Sequence, residues 1–149
     1  MVGATVQRHI DKLTQDTSVT CADFADQFFG DEGCIQLCDA LAGSSTITEL
    51  NLRGCNIRTG GATALAQFLQ SNHTLRTLDL EWNGIGTLDK GVAVLSAALA
   101  ANRGLTFLDL RNNGIGPAGR ASADSCKPQP NFYATRTCGK QARVISPKH

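Results

Sequence analysis

The chain has 149 residues, of which 42% are hydrophobic, with 14 lysines and arginines against 13 aspartates and glutamates. That length fits one domain with its own core, and a net charge of +1 gives no global pull towards nucleic acid or a membrane surface. No apolar stretch reaches spanning length, and the first fifteen residues lack the hydrophobic centre of a signal peptide.

The N-terminal segment, residues 1–18, carries Val6, Ile10 and Leu13 at helical spacing. Residues 4–14 are therefore expected to form a short amphipathic helix that covers the first edge of whatever follows. The chain then repeats itself. ITELNLRGCNI starts at Ile47, LRTLDLEWNGI at Leu75 and LTFLDLRNNGI at Leu105, so the starts lie 28 and 30 residues apart. A fixed period of this length marks a solenoid, in which each unit buries its core against its neighbours. Leu50 and Leu52 flank Asn51, Leu78 and Leu80 flank Asp79, and Leu108 and Leu110 flank Asp109, the alternation of a strand with one buried face. Behind each strand, Gly33, Gly61 and Gly91 share one position, followed by Leu37, Leu65 and Leu95 and then by Leu41, Leu69 and Leu99, which is one apolar helix face. The same register carried back places Val19, Ala22, Phe24, Gln27 and Phe29 in a degenerate first unit. The units are thus 19–46, 47–74, 75–104 and an incomplete 105–119.

The pattern L-x-x-L-x-L-x-x-(N/C)-x-I resembles a leucine-rich repeat, and its period resembles the ribonuclease-inhibitor-like type. The resemblance implies an α/β solenoid with a curved parallel sheet on the concave side and helices on the convex side. It also implies an inward turn ladder at Cys55, Asn83 and Asn113, where asparagine bonds the backbone of adjacent units and cysteine is a weaker substitute.

Past Gly119 the register fails, since the next apolar positions hold Arg120, Ala123 and Lys127. Residues 121–149 contain three of the four prolines and five basic residues against one acidic, whereas the first 120 residues have nine basic and twelve acidic. Residues 120–149 are therefore expected to be a disordered basic tail, read as an alternative or out-of-frame terminus on an array that stops in mid-repeat.

Nothing in the sequence supplies catalysis or a cofactor. Gly60-Gly61 occupies a repeat position and is not followed by Lys-Ser/Thr, so it is not a phosphate loop. Cys34 and Cys38 lie one helical turn apart, yet no second cysteine pair or histidine stands at metal-ligand spacing, so no metal is expected. Cys21, Cys34, Cys38 and Cys55 read as core or turn thiols, while Cys126 and Cys138 fall in the tail. Asn72-His73-Thr74 fits a glycosylation sequon, but Asn72 and Asn102 share a position just after a helix, where asparagine is a natural stop.

The residues left free to act face outward from the strands. In register they form the columns Glu49, Thr77, Phe107; Asn51, Asp79, Asp109; Arg53, Glu81, Arg111; and Gly54, Trp82, Asn112. Arg53, Glu81 and Arg111 alternate in sign, as stabilising cross-strand pairs do. Asp79 beside Asp109 costs stability, and exposed aromatics such as Trp82 and Phe107 are the types that anchor interfaces. The expected partner is a protein bound through Arg53, Asp79, Glu81, Trp82, Phe107, Asp109 and Arg111, with no nucleic acid, membrane or small-molecule substrate. Residues 80–113, LEWNGIGTLDKGVAVLSAALAANRGLTFLDLRNN, further resemble the repeat domain of the centrosome-linker leucine-rich-repeat proteins. That implies a cytoplasmic scaffold at the centrosome, cilium or cytoskeleton, although the further repeats and coiled coil of that family are not in this sequence. The alternative is a sensor or inhibitor fragment of the ribonuclease-inhibitor or innate-receptor kind.

Overall fold

A computed structural model describes residues 3–88, 90–125 and 133–135. Helices and short strands alternate along it: α1 (Ala4–Gln15), β1 (Cys21–Asp23), α2 (Gly30–Leu41), β2 (Glu49–Asn51), α3 (Thr59–Ser71), β3 (Thr77–Asp79), α4 (Lys90–Ala101), β4 (Phe107–Asp109), α5 (Pro117–Ser125) and β5 (Tyr133–Thr135). All five strands are parallel and lie in chain order. Ala22, Leu50, Leu78 and Leu108 pair side by side, so the degenerate first unit sits in the register read from the sequence.

The core runs between sheet and helices as one continuous layer. Leu50 and Leu78 of the strands, Leu52 and Leu80 just after them, and Leu37, Leu65 and Leu95 of the helices are all buried, whereas Leu99 is only partly so. Helix packing in such an array demands small residues where each helix starts. A Cβ on Gly91 would stand 2.5 Å from the Ile85 carbonyl oxygen, which is why that position tolerates no side chain. At the N-terminal edge, α1 buries Val6, Ile10 and Leu13, and the His9 ring lies 4.5 Å, centroid to centroid, from the fully buried Phe24.

Two asparagine ladders tie the units together at opposite ends of the strands. At the turn after each strand, Asn83 Nδ2 donates to the Leu52 and Leu80 carbonyls (2.8 and 3.0 Å), and its Oδ1 accepts the Ile57 N–H (2.9 Å). Asn113 repeats this one unit later, with Leu80 O at 2.7 Å, Leu110 O at 3.1 Å and the Ile85 N–H at 3.2 Å. Cys55 holds the equivalent place with a single cross-unit bond, Sγ to Phe24 O at 3.1 Å, and burial pushes its thiol pKa up to about 12. Before each strand, Asn102 Nδ2 donates to Leu69 O (2.6 Å) and Asn72 O (2.9 Å), while its Oδ1 accepts the Gly104 and Leu105 N–H groups. Asn72 makes the corresponding bonds to Ser44 O and from Thr74 and Leu75, and it is 6% exposed. With both ends of its amide committed, Asn72 works as a structural stop rather than as a sugar acceptor.

One further link joins neighbouring helices: the Asp31 carboxylate on α2 accepts the N–H groups of Arg58 (2.6 Å) and Gly60 (3.2 Å), capping α3 from the adjacent unit. The sequence boundary at residue 120 falls inside α5. Pro117 suits the first helical position and the alanines that follow favour helix, so the element continues to Ser125. β5 pairs with β4 at Phe107↔Tyr133. Residues 126–132 and 136–149, which hold Cys126, Cys138 and most of the expected basic tail, lie outside the described residues. Among the described residues no helix is long and apolar enough to cross a membrane.

Candidate functional site

The strand residues that point away from the helices stand in columns fixed by the pairing register. The first column is Cys21, Glu49, Thr77 and Phe107; the second is Asp23, Asn51, Asp79 and Asp109. Every member of the second column does the same local job. Its Oδ1 accepts the backbone N–H two residues on: Asp23 from Ala25 (3.0 Å), Asn51 from Arg53 (3.1 Å), Asp79 from Glu81 (2.9 Å) and Asp109 from Arg111 (2.9 Å). Short polar side chains close a turn in this way. This gives Asp79 and Asp109 a structural reason to sit side by side.

Three neighbouring carboxylates meet at the middle of the face. Asp79, Glu81 and Asp109 each offer an oxygen within 4.8 Å of the others. Asp109 is 2% exposed and is neutralised by Arg111, whose Nε bonds Oδ1 and Oδ2 at 3.0 and 2.9 Å. Glu81 lies between two guanidiniums, 3.4 Å from Arg111 and 3.7 Å from Arg53, and accepts Asn112 Nδ2 at 3.2 Å. The Arg111–Asp109 bond is the main cause of the upward shift in the Arg111 pKa. Among the described residues no cation forms an ion pair with Asp79, although the Arg111 charge lowers its pKa slightly. Burial raises its pKa above the ordinary carboxylate value, the hydrogen bond from the Glu81 amide opposes this, and the charges of Asp109 and Glu81 add to it. Two of the three carboxylates thus already hold guanidiniums, and the cluster reads chemically as a cross-strand ion network.

The next column turns the chain from strand towards helix. Asp26, Gly54, Trp82 and Asn112 all have positive φ, at 59°, 63°, 56° and 57°. Glycine adopts this backbone freely and asparagine and aspartate tolerate it, but for other residues it costs about 1–2 kcal/mol. Trp82 bears that cost while 57% exposed. Phe107, one strand further on, is half-buried rather than fully open.

The structure brings Arg53, Asp79, Glu81, Asp109 and Arg111 into one network, with Trp82 at its rim; Phe107 stands in the first column beside Thr77. Two acidic side chains on the same face, Asp23 and Asp26, were not singled out from the sequence, and Glu49 was placed in the first outward column but not among the contact residues; all three are exposed. Subtracting 28 from Asn51 and Gly54 would have found the first two, but the weakened first strand hid the register's reach. Phe28, 72% exposed at φ 51°, is a second exposed aromatic in a strand-to-helix turn. Among the described residues, Cys21, Cys34, Cys38 and Cys55 are free thiols.

Comparison with known proteins follows the same 28- and 30-residue spacing. The family model described as Leucine Rich repeat matches residues 43–66, 71–96 and 101–122. Leucine-rich repeat-containing protein 45 of Gallus gallus is 41% identical over 75 residues, covering 47% of this chain and 11% of that protein. Ribonuclease inhibitor of Mus musculus is 37% identical over 75 residues, covering 50% of this chain and 16% of that protein. The chain therefore matches well under a fifth of the length of either relative. Among solved structures, Leiomodin-1 Actin-Binding Site 2 superposes with a TM-score of 0.81 at 19% identity, covering 93% of this chain and 82% of that one, a likeness of fold alone.

Proposed function

This chain belongs to the leucine-rich repeat family, in its ribonuclease-inhibitor-like type, and from that premise we propose that it is a non-catalytic module that binds a protein partner through its concave face. Leucine-rich-repeat domains typically bind proteins and are usually non-catalytic, and solenoids offer a long open surface for the purpose. The observation that carries the reading is Trp82: a large aromatic kept exposed, in a backbone conformation that suits glycine or asparagine better, beside the Arg53–Glu81–Arg111 network. The contact residues are Arg53, Asp79, Glu81, Trp82, Phe107, Asp109 and Arg111, and the reading needs no metal or cofactor. Replacing Trp82 and Phe107 together by alanine tests it, with circular dichroism to show that the fold survives: loss of partner binding by the folded variant is the expected result.

The finer reading is a scaffold at the centrosome or cilium, supported by the resemblance of residues 80–113 and by the 41% identity to leucine-rich repeat-containing protein 45. A tagged chain imaged in dividing cells should then mark the spindle poles, and a diffuse signal would count against it. The identity to ribonuclease inhibitor supports the second reading, a sensor or inhibitor fragment.

A further inference from the structure

We propose that the concave face is bipartite and accepts an elongated segment of a partner protein that carries lysine or arginine side chains at one end and an apolar side chain at the other. This rests on the concave-face reading above and specifies the partner's chemistry. The face from β1 to β4 and its turns bears six carboxylates (Asp23, Asp26, Glu49, Asp79, Glu81 and Asp109) against the two guanidiniums of Arg53 and Arg111. Both arginines are committed to Glu81 and Asp109 at the β3–β4 side. At the β1–β2 side, Asp23, Asp26 and Glu49 are exposed, and no cation among the described residues pairs with them. Arg76, just before β3, is held by the carbonyl oxygens of His73 (2.8 Å) and Gly104 (2.7 Å).

The two halves therefore ask for different things. The β1–β2 half has excess negative charge, and its exposed aromatic, Phe28, lies in the turn two residues beyond Asp26, outside the four outward columns. The β3–β4 half has Glu81 and Asp109 paired with the two arginines, leaves only the half-buried Asp79 without an ion pair, and presents Trp82, 57% exposed, with the half-buried Phe107. Three strand spacings of about 4.8 Å separate β1 from β4, or about 14 Å. An extended segment rises about 3.3 Å per residue, so cationic and apolar side chains about four residues apart span the two halves. Opposed charge across an interface chiefly sets orientation and partner choice. The polarity thus fixes which end of the partner lies over β1.

The test is a titration of the full chain, followed by amide and indole NMR shifts, with two hexapeptides. One has two arginines, a three-residue glycine–serine spacer and a phenylalanine; the other replaces the arginines with glutamates. The arginine peptide is expected to shift the amides of Asp23, Asp26 and Glu49 together with the Trp82 indole, and the glutamate peptide to shift neither. The variant Asp23→Asn, Asp26→Asn, Glu49→Gln changes exposed side chains and keeps an Oδ1 for the Ala25 N–H. It should weaken binding of the arginine peptide by about tenfold, and added salt should do the same to the parent chain as screening shortens. Equal binding of both peptides, or unchanged affinity in the triple variant, overturns the proposal. If the arginine peptide binds only after Arg136, Lys140, Arg143 and Lys148 are changed to glutamine, the occupant is this chain's own basic segment, and the external partner is overturned. Should neither peptide shift the face while the Trp82 and Phe107 variant still loses its partner, the bipartite proposal fails and the concave-face reading stands.

Discussion

Asn83→Ala should destabilise the array more than its small change in apolar area suggests. The Asn83 side chain donates to two buried carbonyls, Leu52 O at 2.8 Å and Leu80 O at 3.0 Å, and accepts the buried Ile57 N–H at 2.9 Å. Alanine removes these bonds, and a longer one from Nδ2 to Glu81 O (3.3 Å), and leaves a methyl group that cannot replace them, in a residue that is only 8% exposed. The Leu80 carbonyl keeps its bond from Asn113 Nδ2 (2.7 Å), so Leu52 O and the Ile57 N–H are the groups left unsatisfied; at about 1–3 kcal/mol each, they cost about 2–5 kcal/mol. That is a large share of the roughly 5–15 kcal/mol that holds a typical domain together. Cys55→Ala provides the control, since Cys55 makes one cross-unit bond through a weak donor; its loss should cost about 1–2 kcal/mol, mostly cavity. Urea denaturation followed by far-UV circular dichroism measures both, provided the slope with denaturant is unchanged. An Asn83→Ala cost below about 1 kcal/mol, or one equal to that of Cys55→Ala, would refute the claim that the asparagine ladder holds neighbouring units in register.

Other consequences follow from single contacts. Asp31→Ala removes the cap that α2 supplies to α3, and the same denaturation assay should show a loss of about 1–2 kcal/mol. Asp79→Asn keeps the Oδ1 that accepts the Glu81 N–H but removes a carboxylate whose folded pKa is raised. A raised carboxylate pKa means that the ionised form opposes folding. The parent chain therefore gains stability from this group as pH falls through the folded pKa, and above it the Asn variant should be more stable by up to about 1 kcal/mol. Stability curves at neutral and acidic pH that stay parallel would contradict this. Among the four described cysteines, Cys21 is exposed, whereas Cys34, Cys38 and Cys55 are buried; partial burial and the charges of Glu49 and Asp23 raise the Cys21 thiol pKa, as the thiols of Cys34 and Cys55 are also raised, so access is what sets Cys21 apart. Iodoacetamide at mildly alkaline pH, read by peptide mass mapping, should label Cys21 first.

Much of this was legible because the repeat imposes one register on every unit. Knowing where Leu50 faces fixes where Leu78, Leu108 and even Ala22 face, and with them the outward columns. The ladder at Asn83 and Asn113 was legible from the family pattern. The capping bonds of Asn72 and Asn102 were visible only as a shared position, because a helix stop does not say which carbonyls across the unit boundary it will reach. The site was less legible. Asp79 beside Asp109 looks like a cost until the turn bonds to Glu81 and Arg111 are seen, and backbone hydrogen bonds from side chains leave no trace in composition. The left-handed backbone at Trp82 was hidden for a similar reason: its column holds aspartate, glycine, tryptophan and asparagine, and tryptophan does not announce a turn. α5 ran past residue 120 because apolar spacing reports burial, whereas helix propensity in an alanine-rich stretch does not depend on it.

The account stands on the concave face as the binding surface, and the binding of a cellular partner by the folded Trp82→Ala, Phe107→Ala chain tests it most directly. A hot-spot aromatic is worth about 2 kcal/mol or more, so even if one of the two carries the contact the account predicts that affinity falls at least about thirtyfold while the thermal unfolding transition stays cooperative. Affinity equal to that of the parent chain, in a variant shown to be folded, would contradict it.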